Sequence, residues 1–210
     1  MSTSMHYISR IEVRAAHVAR MRDVGPASLL VWNEASGRVQ VQLPTGHLDE
    51  LTMIIAPGRG LDTLTETRED NDEPRDDFAL AEDLTDIAND WLTEWALVKA
   101  MTPTLAPIRH SLDQRGVYPA GPVHTYGGDG SVPTITDTYA RPDGKAQVQV
   151  TVPLGYAEPV RLRTHVLPEY TTVSDYGLAF DAATVPSAMI TATLTAMVTA
   201  HLDVYDHLNG

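Results

Sequence analysis

At 210 residues and 22.9 kDa, with 43% apolar residues, the chain is large enough to bury a core without disulfides or structural metal. The absence of cysteine excludes thiolate zinc sites, thiol nucleophiles and redox switching, and a formal charge of -13 argues against nucleic acid, whose binding relies on lysine and arginine displacing counterions. No apolar run approaches the ~20 residues that span a bilayer, and the opening MSTSMHYISRIEV lacks the apolar centre of a signal peptide. A soluble, cytoplasmic chain without membrane or cofactor is the expectation.

The first predicted element is a helix from His6 to Arg22, with Ile8, Ile11, Ala15 and Val18 along one face and Arg10, Arg14 and His17 beside them. The alternation in RIEVRA also allows an extended segment. Gly25-Pro26 breaks the chain, and Ala27 to Asn33 with Gly37 to Leu43 reads as a β-hairpin turning at Glu34 to Gly37. Its second arm sets Val39, Val41 and Leu43 on one face and Arg38, Gln40 and Gln42 on the other. After Pro44 to Gly46, the apolar run Leu51 to Ala56 reads as a third strand ended by Pro57-Gly58.

Residues 62–77 carry eight acids against two arginines, a net of -6, and read as a polar, mobile linker. The strongest helix signal follows, from Ala79 to Met101. Leu80, Leu84, Ile87, Trp91, Trp95 and Val98 recur at steps of three and four, Asp76 or Asp77 can cap the start, and Thr102-Pro103 is expected to stop it. A connection at 102–133 follows, with a short helix from Pro107 and a glycine- and proline-rich stretch from Gly116 to Pro133.

The second half then resembles the first at an offset of 107 residues. Trp32 to Leu43 lies beside Tyr139 to Val150, each with an aromatic residue, a turn ending in glycine, a basic residue and an alternating Q-V-Q arm. The same offset carries Ile87, Trp91, Trp95 and Val98 onto Leu194, Val198, Leu202 and Tyr205 in a final helix, Pro186 to Leu208, and the third strand onto Pro159 to Leu167. The expected fold is therefore α+β and two-layer, a tandem duplication of a β-β-β-α unit with an extra N-terminal helix. Its parts are 1–101, the connection 102–133, and 134–210.

Helices on one side of such sheets leave the other side polar. That face would present Arg38, Gln40 and Gln42 from one unit and Lys145, Gln147, Gln149, Arg161, Arg163 and His165 from the other, a row suited to holding an extended peptide or an acidic surface. Catalytic signatures are lacking: there is no GxSxG, GxxxxGK[ST] or HExxH, and Gly58-Arg59-Gly60 and Gly127-Gly-Asp-Gly130 are short turns. Asp203 and His207, four apart near the end of the last helix, have the spacing of two metal ligands but equally that of a surface pair. His110 with Asp113 and Arg115, and His124 beside Tyr126, are the groupings from which acid-base chemistry could be built.

The order helix, three strands, helix over Tyr7 to Arg22, Ala27 to Ala56 and Ala79 to Met101 resembles the small acidic chaperones of type III secretion and the YbjN-type fold. The resemblance implies a non-enzymatic protein that binds extended segments of a protein partner as a chaperone or adaptor, usually as a homodimer. The acidic linker and the long connection depart from that pattern, and no client-binding residue is carried over. Two other readings stand beside it: a structural component of a virion or secretion machine, and an enzyme using the 116–133 loop.

Overall fold

The computed structural model describes residues 10–43, 48, 52–71, 73–74, 76–126, 131–142 and 144–208. The part of the predicted first helix at 6–9, the Pro44 to Gly46 segment, Asp72 and Arg75 of the acidic stretch, and the Gly127 to Gly130 turn lie outside them. None of the helices in the described residues is long and apolar enough to cross a membrane.

The chain enters extended, in place of the predicted helix over residues 10–14, and becomes helical only at α1 (Ala15–Val24). Ile11 and Val13 are buried while Arg10, Glu12 and Arg14 are exposed, the period-2 pattern of a strand. Its partner is a helix. The Ile11 N–H donates to Asn89 Oδ1 at 3.0 Å and its carbonyl accepts from Asn89 Nδ2 at 2.9 Å, while the Val13 N–H donates to Thr85 Oγ1 at 3.0 Å. Side chains one helical turn apart thus supply the hydrogen bonds that a neighbouring strand would provide.

The first sheet contains β1 (Leu29–Asn33), β2 (Arg38–Gln42) and β3 (Thr52–Pro57) in the order β2-β1-β3, all antiparallel. The hairpin turn falls where expected, with Gly37 at φ +65° and its N–H bonded to the Asn33 carbonyl at 2.8 Å. Val39 and Val41 face the core opposite Trp32 and Leu30. On the other face Leu29, Val31, Ile54 and Leu48 form an apolar cluster, so the wholly polar outer face expected for this sheet is not present.

The described part of the acidic stretch is structured. Residues 60–70 form α2 (Gly60–Asp70), which buries Leu61. Arg68 fixes it to the next helix: its Nε and Nη2 donate to the two carboxylate oxygens of Asp83, each at 2.6 Å, and Nη2 also donates to the Ala79 carbonyl at 3.2 Å. One bidentate arginine thereby ties down a segment whose charge alone predicts a loose linker.

α3 (Asp77–Asp113) starts as predicted, with the Asp76 carboxylate accepting from the N–H groups of Phe78 and Ala79. It does not stop at Thr102-Pro103 but continues through Pro103 and Pro107 for 37 residues. Each proline removes one intrahelical hydrogen bond, at a cost of roughly 3 kcal/mol in a helix interior. The offset comes from Met101, Leu105, Ile108 and Leu112, all at most 2% exposed and each contributing about 1.5–3 kcal/mol by burial. Both prolines lie on the exposed face. The short helix predicted from Pro107 is the last part of α3.

Two strands, β4 (Tyr118–Pro119) and β5 (His124–Tyr126), occupy the stretch expected to be a connection. With β6 (Thr134–Ala140), β7 (Ala146–Pro153), β8 (Val160–Val166) and β9 (Thr171–Leu178) they form a six-stranded antiparallel sheet of order β4-β6-β7-β8-β9, with β5 also paired to β6. The edge strand β9 has no counterpart in the sequence reading. α4 (Ser187–Leu208) closes the chain within a residue of expectation, and Ile190, Leu194, Val198 and Leu202 pack on the sheet.

The class is α+β, with α1 and α3 packed on the core face of the first sheet and α3 and α4 on that of the second. The duplication is not reproduced in the strand pairing. Adding 107 to β1, β2 and β3 lands on β6, β7 and β8, but β1 is the centre of its sheet, whereas β7 is the one flanked by its two equivalents. Nor does a boundary fall at residue 101. Leu80, Leu84, Trp95 and Val98 of α3 belong to the core of the first sheet, and Met101, Leu105, Ile108 and Leu112 to that of the second.

Candidate functional site

The outer face of the second sheet is polar, as the alternation of its strands requires. Opposed residues place Thr136 with Thr151, Thr138 with Gln149, Gln147 with His165, and Gln149 with Arg163 on the side away from α3 and α4. α2 and the end of β3 stand over part of this face, leaving a groove of about 800 Å³. Gln147, Gln149, Thr138 and Tyr170 line the sheet side, while Arg59, Thr63, Leu64 and Glu66 line the α2 side. Ile87, His124 and a set of prolines (Pro26, Pro57, Pro122, Pro142, Pro168) complete a lining that is more apolar than polar.

A hydrogen-bond chain stiffens the sheet side. The Gln149 amide donates to the Tyr170 hydroxyl at 3.2 Å, its oxygen lies 3.2 Å from His165 Nε2, and Thr172 Oγ1 lies 3.0 Å from His165 Nδ1. With the Gln149 oxygen as acceptor, His165 carries its proton on Nε2 and accepts from Thr172. The Tyr170 ring stacks on His165 at 4.4 Å and 14°. Tyr170 holds φ +54°, in the left-handed region that a bulky side chain rarely adopts, a backbone cost sustained by this stacking and by the Gln149 contact. Gln147 is 3% exposed, and its amide has no side-chain partner among the described residues.

Arg59 is the cationic group on the opposite wall. Its Nε is fully buried without a hydrogen-bond partner, and no carboxylate of the described residues pairs with it. Burial pulls its pKa below the ordinary arginine value, with Tyr170 and Asp206 partly offsetting this.

Of the residues expected on a single binding face, Gln147, Gln149 and Lys145 reach the groove. His165 lies beneath Tyr170, and Arg161 and Arg163 turn to Asp175 on β9, at 3.6 and 3.1 Å. Arg38, Gln40 and Gln42 sit on the edge strand β2 and do not line the groove. The two units therefore do not merge their polar rows. Arg59 and Tyr170 were not singled out as site residues in the sequence. The one available signal for Arg59 was its place between Gly58 and Gly60, which lets the chain cross close to residues 25–28.

Asp203 pairs with Arg141 and leaves His207 exposed, and no group of three potential metal ligands occurs among the described residues. His110 meets Gln114 in the last turn of α3. His124 packs edge-on against Trp91 at 4.5 Å. Burial lowers its pKa, with the Glu94 and Asp137 charges opposing this.

The histidines make a pH prediction. His17, which accepts the Arg14 N–H through Nδ1, and His124, His165 and His201 all have pKa values held below the ordinary 6.5, with burial the first cause in each. A depressed folded-state pKa contributes stability that is present above about 6.5 and lost as pH falls through the folded value. The urea midpoint is therefore expected to be flat from pH 8 to 7 and to decrease from pH 6.5 to 5. A midpoint rising over that interval would contradict the burial of these rings.

Comparison with known protein families, characterised proteins and solved structures gives no match for this chain.

Proposed function

We propose that the protein is a non-enzymatic binding protein that holds an extended segment of another polypeptide in the groove between the second sheet and α2, in the manner of a chaperone or adaptor. The observation that carries this reading is the composition of the groove. Amides at Gln147 and Gln149 can satisfy a bound main chain, while Tyr170, Leu64, Ile87 and the prolines give apolar contact for its side chains. The proline-rich walls lose little conformational entropy when a segment is bound. This reading accords with the chaperone resemblance, although it uses a different set of residues from the row of arginines first expected.

Selection of random-sequence peptides displayed against the intact protein tests it. Peptides recovered this way are expected to lose at least about tenfold in affinity, or roughly 1.4 kcal/mol, on Tyr170→Ala or Gln147→Ala, and to bind the Arg161→Glu/Arg163→Glu protein within about twofold of wild type. Recovery of no peptide, or loss only in the arginine variant, would move the site or remove it.

The structural-component reading keeps one observation of its own. β9 is a sheet edge of eight residues with Val173 and Tyr176 exposed, and such edges can pair with another strand. Light scattering that gives large homogeneous particles, reduced to monomers by Val173→Pro, would favour it.

A further inference from the structure

Arg59 is poorly explained as a structural residue. Acids outnumber bases by 28 to 15 in this chain, yet this half-buried guanidinium has no ion pair among the described residues and its Nε is buried without an acceptor. Asp206 acts on it through its charge alone. One Asp206 oxygen accepts from the N–H groups of Lys145 and Ala146 at 2.6 and 3.2 Å, and the other, buried without a hydrogen-bond partner, lies 3.7 Å from Arg141 Nε. The amides of Arg59 and Leu61 are also engaged, with Pro26 and Gly58, so the guanidinium rather than the start of α2 is the donor left over.

Resting on the groove as a peptide site, we propose that Arg59 is its anchor and receives one carboxylate of the bound segment, with Lys145 adding a second, exposed positive charge. A guanidinium fork matches a carboxylate or a phosphate in geometry. The surroundings select the former. Asp62 and Glu66 stand exposed on the α2 rim, repelling a dianion or a polyanion, while the rest of the lining apart from Lys145 is uncharged, of amide, hydroxyl, proline, aliphatic and aromatic groups. The ligand is thus an extended peptide carrying a single carboxylate, from a chain terminus or an acidic side chain, among neutral and apolar residues.

The test has two arms. In the first, the Arg59 Nε–Hε resonance of the ¹⁵N,¹³C-labelled wild-type protein, assigned by side-chain-to-backbone correlation, is followed during titration with sodium acetate against sodium chloride at equal ionic strength. A saturable shift with acetate, and a weaker one with inorganic phosphate, is expected. No saturable shift, or the same shift with chloride, would overturn the proposal, and this titration stands even if a variant folds poorly because wild type alone decides it. In the second arm, peptides recovered by display are remade with amidated C-termini, or with Asp and Glu changed to Asn and Gln. Loss of at least about tenfold from one of these changes identifies the source of the carboxylate. If neither change nor Arg59→Gln alters affinity, the anchor is wrong while the groove reading survives. If acetate saturates Arg59 but no peptide is recovered, the anion site survives and the peptide reading fails.

Discussion

Asp137→Ala is expected to destabilise the fold by about 3–5 kcal/mol, the range for removing one partner of a buried ion pair. Asp137 is 0% exposed on β6, and its Oδ2 accepts from Arg109 Nε of α3 at 2.6 Å while its Oδ1 accepts the Thr138 N–H at 3.0 Å. The pair crosses from helix layer to sheet in the core of the second half. Arg109 is held well above its ordinary pKa by the Asp137 charge despite burial, and burial followed by Asp137 pushes the Tyr139 hydroxyl well up. Removing the carboxylate leaves a cation that cannot discharge. For a chain of this size the loss corresponds to a fall in melting temperature of about 10–15 °C, read by thermal denaturation. Arg109→Met combined with Asp137→Val removes both charges and is expected to recover most of that loss. A double variant no better than Asp137→Ala would show that the pair contributes more than mutual neutralisation.

The second large effect is expected at Gly58. A Cβ there would lie 2.5 Å from the Gly25 carbonyl oxygen and collide with Ser28 Oγ, where the Gly58 N–H already meets the Ser28 carbonyl at 2.6 Å. Backbone is on one side and a fully buried serine on the other, so neither neighbour can yield cheaply. Gly58→Ala is expected to cost about 3 kcal/mol, at the upper end of ordinary overpacking. Gly60→Ala is the control. Its nearest neighbours would be side-chain atoms of Pro57 at 3.6 and 3.7 Å, an ordinary contact at the start of a helix, and stability is expected to change by less than about 1 kcal/mol. Because Arg59 lies between the two glycines, Gly58→Ala should also weaken acetate binding under conditions where the protein remains folded. Equal stability of the two variants, measured by urea unfolding, would refute the close crossing.

Much of this architecture is legible in residue periodicity. The 3-4 spacing from Leu80 to Val98 and the alternation of Val39 with Val41 and of Val160 with Leu162 give elements of the right type at nearly the right places. What failed was the inference from local signals to pairing. β2 and β7 alternate alike, but the strand before β2, Leu29-Leu30-Val31-Trp32, is apolar on both faces, as is Met53-Ile54-Ile55-Ala56, whereas β8 alternates with arginines. Those continuous runs mark strands covered on both sides. They were the available sign that the first sheet would lack a polar outer face and that the two halves would not pair alike. The acids of residues 60–70 hid a helix because its restraint comes from one side chain, Arg68, meeting Asp83 fifteen residues later. Pro103 and Pro107 hid the length of α3 because the burial that sustains it is contributed by strands far along the chain. The groove was illegible for the same reason: Arg59 and Tyr170 are brought together by the packing of one half against the other.

The passage of α3 from one core into the other has a consequence for synthesis on the ribosome. Every fully buried member of the first core lies between Ile11 and Val98, so this core can condense once that length has emerged. Met101, Leu105, Ile108 and Leu112 then wait on the same helix with their apolar face uncovered until β6 to β8 and α4, which ends at Leu208, have followed. During that interval the growing chain displays a sticky stripe beside two prolines that weaken the unsupported helix. Assembly is therefore expected to proceed from the N-terminal half outward, with α3 as the template on which the second sheet is laid.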